Sequence, residues 1–212
     1  MSPAGCLSFI VRQDMRIGFL ASHRGSNMQA VLDACEAGSL SATPVVLVTN
    51  NRGAEAIQRA QRAGMSIHVL NGVTHPDPDL LDLAIHDALT AARCDLIVLA
   101  GFMKMIGPRV LHAFARRIVN IHPALLPRHG GKGMFGMHVH RSVIASGDRI
   151  SGVSVHLVDE EYDHGRVLAQ AEVPVEPDDT PESLAERVLK KEHEFLPEVV
   201  SRIAKGELSL WR

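Results

Sequence analysis

The feature that most constrains the fold is a series of short apolar runs rich in β-branched residues. They occupy residues 16–21, 44–49, 66–70, 95–100 and 117–121. Most of the runs are continuously apolar rather than alternating, which is typical of strands whose two faces are both covered by helices. The runs therefore predict the strands of a largely parallel sheet buried in the middle of the molecule.

Helical patterns separate these runs. Apolar residues recur at spacings of three and four, which places them on one face of a helix. One stripe consists of Met28, Val31, Leu32 and Cys35, and a second consists of Leu81, Ile85, Ala88 and Ala92. Alternating strands and helices predict a doubly wound α/β fold with a mostly parallel sheet. The chain has 212 residues, of which 46% are hydrophobic, and a single domain is the simplest way to bury them.

The alternation loosens after residue 127. A glycine-rich segment is followed by a short helix near residues 139–145 and by two strand candidates at 153–158 and 167–175. These elements are expected to belong to the same domain, because no linker or internal repeat divides the chain.

The last helix has clear end signals. Thr180 is a good N-cap residue, and Pro181 fits the first helical position, where no N–H is needed. Pro197 is expected to kink or split the helix because proline removes an internal hydrogen bond, and Gly206 is expected to end it. The segment therefore predicts one kinked helix or two shorter ones.

Charge and cysteine content exclude several classes of protein. The formal net charge is −2 at pH 7, so the chain has no broad basic field and nucleic acid is not an expected partner. No apolar run approaches the roughly 18 residues of a membrane span, and the first residues do not resemble an export signal. Cys6, Cys35 and Cys94 form no Cys-x-x-Cys pair, which favours reduced thiols in a cytoplasmic protein.

Residues 1–14 precede the first strand signal. Met15 stands immediately before that strand. We therefore predict that residues 1–14 are a flexible extension, or the result of a misassigned start, and that residues 15–212 form the folded domain.

The segment after the first strand contains a candidate phosphate site. In parallel sheets, ligands bind outside the carboxyl ends of the strands. Gly25, Ser26 and Asn27 lie there at a predicted helix N-terminus, where free N–H groups favour an anion and glycine permits its close approach. Taken alone, Ser26 or Asn27 is more typical of an N-cap. The loop is neither G-x-G-x-x-G nor a P-loop, which disfavours NAD and favours a single small phosphate.

The fifth apolar run ends in a polar pair. Asn120 and His122 lie two residues apart, so their side chains share one face of a strand. Asp163, which follows a later strand candidate, is a carboxylate that could raise the basicity of His122. An amide for the oxyanion, with an imidazole and a carboxylate for the proton, indicates acyl transfer without a covalent enzyme intermediate. The alternative is a histidine that satisfies a loop backbone, beside a solvated acidic segment.

The fourth run is followed by apolar residues where exposed loops are usually polar. Phe102, Met103, Met105 and Ile106 either plug the core or form the wall of a pocket for a flat aromatic ligand.

A carboxylate also lies on the apolar stripe of the last helix. Glu192 shares that stripe with Leu184, Val188 and Phe195. A carboxylate on an apolar face is costly unless it is paired or liganded, so a plain surface role does not suit Glu192.

Together these segments resemble a known family. The segments RGSNMQA, VVLVTNN, LIVLAGFMKMI, VNIHPALLP and YDHG are similar to those of the phosphoribosylglycinamide formyltransferases, from about Met15 to the last helix. NIHP with a later Asp is shared by enzymes that use 10-formyltetrahydrofolate. GSN after the first strand is the segment that narrows the choice of the second substrate within this family. The resemblance implies a Rossmann-like formyltransferase fold and 10-formyltetrahydrofolate as co-substrate. The implied activity is formyl transfer to the amine of glycinamide ribonucleotide in de novo purine (IMP) biosynthesis, by direct attack through a tetrahedral intermediate.

The resemblance also assigns residues to the two substrates. It implies that Asn120, His122 and Asp163 are catalytic. The implied ribotide-binding residues are Gly25, Ser26, Asn27, Leu189, Lys190, Lys191 and Glu192. The implied folate-binding residues are Met103, Lys104, Met105, Ile106, Asn120, Asp159, Glu160, Glu161, Tyr162 and Asp163. The expected partners are these small molecules, and the expected state is a monomer or a homodimer.

Two features depart from the family pattern. Some members carry a folate-contacting arginine before the third helix, whereas residues 74–81, THPDPDLL, contain none. The glycine-rich segment 130–136 is longer than in the shortest members, and it fits a surface insertion and a substrate-ordered lid equally well.

Other functions compete with this one. Hydrolysis of formyl-folate and formylation of initiator tRNA are performed by members with an additional domain, which is not expected in 212 residues. A non-catalytic small-ligand sensor on the same fold is a further alternative. A serine hydrolase is disfavoured because no G-x-S-x-G elbow follows a strand. The 12 histidines are scattered and form no His-Glu-x-x-His motif, so no metal is expected.

Overall fold

The computed structural model describes residues 14–211, which form one domain around a seven-stranded sheet. The strands are β1 (Met15–Leu20), β2 (Ala42–Thr49), β3 (Ser66–Val69), β4 (Leu96–Leu99), β5 (Ile118–His122), β6 (Ile150–Leu157) and β7 (Val167–Pro174). The helices are α1 (Ser26–Glu36), α2 (Ala56–Arg62), α3 (Pro78–Ala91), α4 (Pro108–Ala113), α5 (Met137–Ser146) and α6 (Pro181–Ala204). The extension predicted for residues 1–14 lies, apart from Asp14, outside the described residues.

The strands follow the order β3-β2-β1-β4-β5-β6-β7 across the sheet. Strands β1 to β5 are joined by parallel pairings, whereas β6 pairs antiparallel with both β5 and β7. This confirms the predicted doubly wound, mostly parallel sheet. The chain builds outward from β1 to β3 and then returns to add β4 on the other side of β1. Such a reversal of direction opens a crevice at the carboxyl ends of the central strands.

Apolar clusters cover both faces of the sheet. Side chains alternate along each strand, so Phe19 and Leu96 join one cluster and Leu20 and Ile97 join the other. Helices α1 and α6 contribute to the first cluster, and α3 and α4 contribute to the second. Because both faces are buried, the strands need no polar alternation, which explains the continuous apolar runs in the sequence.

Helix α6 begins as predicted but is not split. Thr180 caps it by accepting the N–H of Ser183, within a complete capping box. The helix continues through Pro197 to Ala204 as one element, so of the two alternatives the division into two helices is wrong. Proline inside a helix costs about 3 kcal/mol. Leu196 and Val199 are fully buried beside it, and each such side chain contributes about 1.5 to 3 kcal/mol, which is enough to keep the helix intact.

Candidate active site

A cavity of about 650 Å³ opens at the carboxyl ends of β1, β4 and β5. The end of β5 forms its floor, and residues 101–106, which follow β4, form one wall. Leu189 and Glu192 contribute a further wall from α6. Residues from the segments 131–137 and 158–163 complete the rim. The cavity is therefore built where the strand order predicts a ligand site.

Asn120 is held by a histidine on the neighbouring strand. The antiparallel register sets Asn120 opposite His156, and Nδ2 of Asn120 lies 3.0 Å from Nε2 of His156. Nδ1 of His156 lies 2.8 Å from the carbonyl oxygen of Leu157, so Nδ1 carries the hydrogen and Nε2 accepts from the amide. One amide hydrogen of Asn120 is used in this way, and the second remains for a ligand in the cavity.

His122 lies between two hydrogen-bond acceptors. Its Nε2 is 2.8 Å from the carbonyl oxygen of His129, and its Nδ1 is 3.4 Å from Oδ2 of Asp163. The carbonyl oxygen requires a hydrogen on Nε2, and the carboxylate lies beside Nδ1 of a ring that is 3% exposed. In this geometry both ring nitrogens of His122 face oxygen acceptors.

Asp163 links this pair to the rim of the cavity. Its Oδ2 accepts the N–H of Gly131 at 3.0 Å, and its Oδ1 lies 3.5 Å from Nε2 of His156. Burial alone would raise the pKa of Asp163, but the contact with His122 and the N–H of Gly131 help to hold the pKa well below its usual range. Asp163 is therefore ionised at neutral pH and acts on the site through its charge.

The N-terminus of α1 suits an anion. Gly25 is the N-cap in the left-handed region, with φ of 64°, and no side chain caps the helix. Ser26 and Asn27 are helical residues, so the interpretation of either one as the N-cap is wrong. A Cβ atom at Gly25 would lie 2.8 Å from Cβ of Ala56. Conformation and packing therefore both require glycine, and they leave the first N–H groups of α1 without a side-chain acceptor.

Two polar side chains face the cavity near that helix end. Asn27 lines the cavity, and its buried Oδ1 has no partner among residues 14–211. Glu192 also lines the cavity and is 7% exposed, which confirms that it lies on the buried side of α6. Burial raises the pKa of Glu192 to about 7, although the Asn27 amide and the His122 ring offset part of that effect. A buried carboxyl beside an unpaired amide oxygen suits a polar ligand.

The methionines after β4 belong to the cavity and not to the core. Met103 is 39% exposed and Met105 is 54% exposed, whereas Ile106 is 8% exposed. The alternative that these residues plug the core is therefore wrong for both methionines. Ser22 holds the loop by accepting the N–H of Met103 at 2.8 Å. Met103 and Met105, with Tyr162 nearby in the cavity wall, suit a flat aromatic ligand.

Most of the predicted site residues meet in this cavity. Its wall includes Asn27, Met103, Lys104, Met105, Ile106, Asn120, His122, Asp159, Glu161, Tyr162, Asp163, Leu189 and Glu192. Glu160 lines an adjoining recess. Gly25, Ser26, Lys190 and Lys191 are not part of the wall. Lys190 is exposed, and Nζ of Lys191 lies 3.7 Å from Glu194, so their positions do not add support to a role in ribotide binding.

Other cavity residues were not predicted as site residues. His156 and His140 both line the wall. Burial lowers the pKa of His140 to about 4, so this ring is neutral beside His122. The glycine-rich segment also takes part, since Gly131 binds Asp163 and Phe135 lines the cavity. The glycine-rich segment therefore borders the cavity.

Within residues 14–211, no group of three or more His, Cys, Asp or Glu side chains is arranged to hold a metal ion. Over the same part of the chain, no helix combines the length and the apolar character needed to cross a membrane.

Comparison with known proteins gives consistent matches over most of the chain. Residues 15–200 match the formyl transferase family. A phosphoribosylglycinamide formyltransferase of Escherichia coli is 36% identical over 196 residues, which are 92% of this chain and 90% of that protein. A chloroplastic phosphoribosylglycinamide formyltransferase of Arabidopsis thaliana is 40% identical over 198 residues, which are 93% of this chain and 68% of that protein. The crystal structure of glycinamide ribonucleotide transformylase 1 from Symbiobacterium toebii has a TM-score of 0.87 and 35% identity, and the match covers 93% of this chain and 91% of that one.

Proposed function

We propose, from the premise that this chain belongs to the formyl transferase family and within it to the phosphoribosylglycinamide formyltransferases, that it formylates glycinamide ribonucleotide with 10-formyltetrahydrofolate. This reaction is a step of de novo purine biosynthesis. The observation that carries the proposal is the meeting of Asn120, His122 and Asp163 in one cavity. The same cavity contains a methionine-rich wall for the folate and Asn27 beside a helix N-terminus for the ribotide phosphate.

The chemistry follows from the hydrogen bonds and the charge that Asn120, His122 and Asp163 provide. The amine nitrogen of the ribotide attacks the formyl carbon, and the carbonyl oxygen becomes an oxyanion. The free N–H of Asn120 donates a hydrogen bond to that oxyanion, and the Asp163 carboxylate, which Nδ1 of His122 faces, stabilises the positive charge on the attacking nitrogen. The attacking nitrogen then loses a proton, N10 of the folate gains one, and the bond between the formyl carbon and N10 breaks. Removing one oxyanion donor typically lowers the rate about 100-fold to 1000-fold.

The two substrates occupy different parts of the cavity. The ribotide phosphate binds at the N-terminus of α1, where Gly25 lets it approach the backbone and Asn27 can add a hydrogen bond. Glu192 accepts hydrogen bonds from the hydroxyl groups of the ribotide. The folate ring lies against Met103 and Met105. This arrangement brings the amine and the formyl group together above Asn120 and His122.

A turnover assay tests the proposal. Purified protein is incubated with 10-formyltetrahydrofolate, with and without glycinamide ribonucleotide, and release of tetrahydrofolate is followed. We expect release only when the ribotide is present. Release with water alone would identify a hydrolase, and binding of both ligands without turnover would identify a sensor, so either result would contradict the proposal.

The variant Asn27→Ala tests the position of the ribotide. Loss of the amide removes a hydrogen bond to a charged ligand, which is worth about 1.5 to 3 kcal/mol. We therefore expect KM for the ribotide to rise about tenfold or more, with KM for the folate unchanged. The matched control is Gln29→Ala on the same helix, where the lost contacts are with Asp33 and Arg59. Equal effects of the two variants on KM would contradict the assignment of Asn27.

A further inference from the structure

The carbonyl group that accepts the hydrogen bond from His122 belongs to a residue with an uncommon backbone. His129 has a φ of 55°, in the left-handed region, which few residues other than glycine adopt. Such a conformation persists where the surrounding structure holds it firmly. The carbonyl oxygen of His129 lies 2.8 Å from Nε2 of His122. The position of this backbone therefore decides whether Nε2 of His122 keeps its hydrogen.

The side chain of His129 is held at both ring nitrogens. Its Nε2 lies 2.7 Å from Oδ2 of Asp148, and its Nδ1 lies 2.8 Å from Oγ of Ser142. The side chains of His129 and Asp148 are only 11% and 13% exposed. Arg128 also contacts Asp148. The His129 contact is the main reason that the pKa of Asp148 lies below its usual value.

The His129–Asp148 pair reaches the reacting groups only through His122. Neither residue is part of the cavity wall. The imidazole of His129 ties its own backbone to Ser142 in α5 and to Asp148 just beyond the end of that helix. A side chain fixed at two points holds the carbonyl oxygen in a set direction, which is what preorganisation of a catalytic group requires.

We propose that His129 and Asp148 are positioning residues, which hold the His129 carbonyl so that His122 keeps a hydrogen on Nε2 and turns Nδ1 toward Asp163. The inference rests on the proposed function for its effect on turnover. It assigns the pair to the chemical step and not to the binding of either substrate.

The state of the His122 ring can be measured without any substrate. Protein labelled with ¹⁵N in its histidine rings is studied by NMR from pH 5 to pH 9, and the His122 signals are identified by their loss in His122→Ala. In the wild type we expect a hydrogen on Nε2 of His122 across the whole range. In His129→Asn, which tolerates a positive φ but loses both ring contacts, we expect Nε2 to be only partly protonated at high pH. Asp148→Asn keeps the shape of the pair and removes its charge, so it should show a smaller change in the same direction.

Kinetics distinguish positioning from a loss of folded protein. We expect His129→Asn to lower kcat about 10-fold to 100-fold, because a displacement of about 1 Å in a catalytic group has effects of this size. The profile of kcat against pH should move about half a unit to lower pH, because protonated His122 loses an acceptor. Both KM values should stay within about twofold.

The other ionisable groups near these rings are unchanged in His129→Asn. Those near the His122–Asp163 pair are His140, His156 and Glu192, and those near His129 are Asp148 and Arg128. The control is His86→Asn, which removes a histidine from a comparable pair with Asp87 on α3, at an Nδ1 to Oδ1 distance of 2.8 Å. This variant should match the wild type in the NMR spectrum of His122, in kcat and in the pH profile.

The possible outcomes separate the two proposals. If His122 gives wild-type nitrogen signals and an unshifted pH profile in both His129→Asn and Asp148→Asn, the pair is only structural and the inference is wrong, whatever happens to kcat. If the wild-type protein has no formyl transfer activity, the proposed function fails, but the NMR comparison still decides whether the pair sets the state of the His122 ring.

Discussion

The buried carboxyl of Glu192 makes the stability of the ligand-free protein depend on pH in a way that can be calculated. Burial raises its pKa from the ordinary value of 4.5 to about 7. The folded chain therefore holds this proton more tightly than the unfolded chain does. As pH rises above 4.5, the unfolded chain ionises first and the folded state loses stability, until the loss levels off above pH 7. A pKa difference of about 2.5, at 1.36 kcal/mol for each pH unit, gives a full cost of about 3 kcal/mol.

The variant Glu192→Gln should remove this cost, because glutamine has the shape of the protonated acid and no charge. We expect it to be more stable than the wild type by about 3 kcal/mol at pH 8, and by less than about 1 kcal/mol at pH 5. Urea unfolding of both proteins at the two pH values, in buffers without phosphate or sulfate, measures the difference. Ribotide affinity should fall in the same variant, so added stability would accompany lost function.

The control is Glu194→Gln, two residues further along α6. Its side chain is 59% exposed and is paired only weakly, at 3.7 Å, with Lys191. This variant should change the free energy of unfolding by no more than a few tenths of a kcal/mol at either pH, because exposed pairs contribute little. If Glu192→Gln differed from the wild type by the same amount at pH 5 and pH 8, or were less stable at pH 8, the reasoning about its buried charge would be refuted.

Two further predictions concern the reacting charges and the helix end. Asp163→Asn should lower kcat about 100-fold or more, because His122 loses the carboxylate at 3.4 Å. Asp87→Asn, which breaks a more exposed histidine pair on α3, should leave kcat within about threefold of the wild type. Similar kcat values for the two variants would argue against the role of Asp163. Gly25→Ala should lose more stability than Gly38→Ala and should also raise KM for the ribotide. Both positions have a positive φ, but only at Gly25 would an added Cβ lie within 2.8 Å of a neighbour, Cβ of Ala56. Thermal unfolding and KM measurements check both effects.

The sequence was sufficient to predict the elements that bury long apolar stretches. All five strands of the parallel part were predicted to within a few residues, because a strand that is covered on both faces must be continuously apolar. Helices α2 and α4 were not predicted, since 7 and 6 residues are too few to show a periodic stripe. The predicted division of α6 failed for a different reason. The free-energy cost of Pro197 inside the helix was outweighed by buried side-chain contacts that only the folded chain makes.

The site was predicted where its geometry is local and was missed where it depends on register. Asn120 and His122 could be paired because residues two apart share a strand face. Asp163 lies beside His122 as predicted, but the strand-end rule that suggested it holds for parallel strands, and β6 runs antiparallel to β5. His156 could not be found, because its position opposite Asn120 depends on a register that follows a long connection through α5. The contacts of His129 depend on a left-handed backbone, which no pattern in the sequence predicts.

Several costs of the folded state lie where the ligands are expected to bind. Asn27 and His140 each place a buried, unpaired polar atom in residues of the cavity wall, and Glu192 is a buried carboxyl in the same wall. Asp163 and His129 hold positive φ angles next to the reacting groups. A fold selected for stability alone would avoid these features, since each costs about 1 to 3 kcal/mol. Under the proposed function, a bound polar ligand supplies the missing partners, and a donor fixed in advance needs no rearrangement when the oxyanion forms.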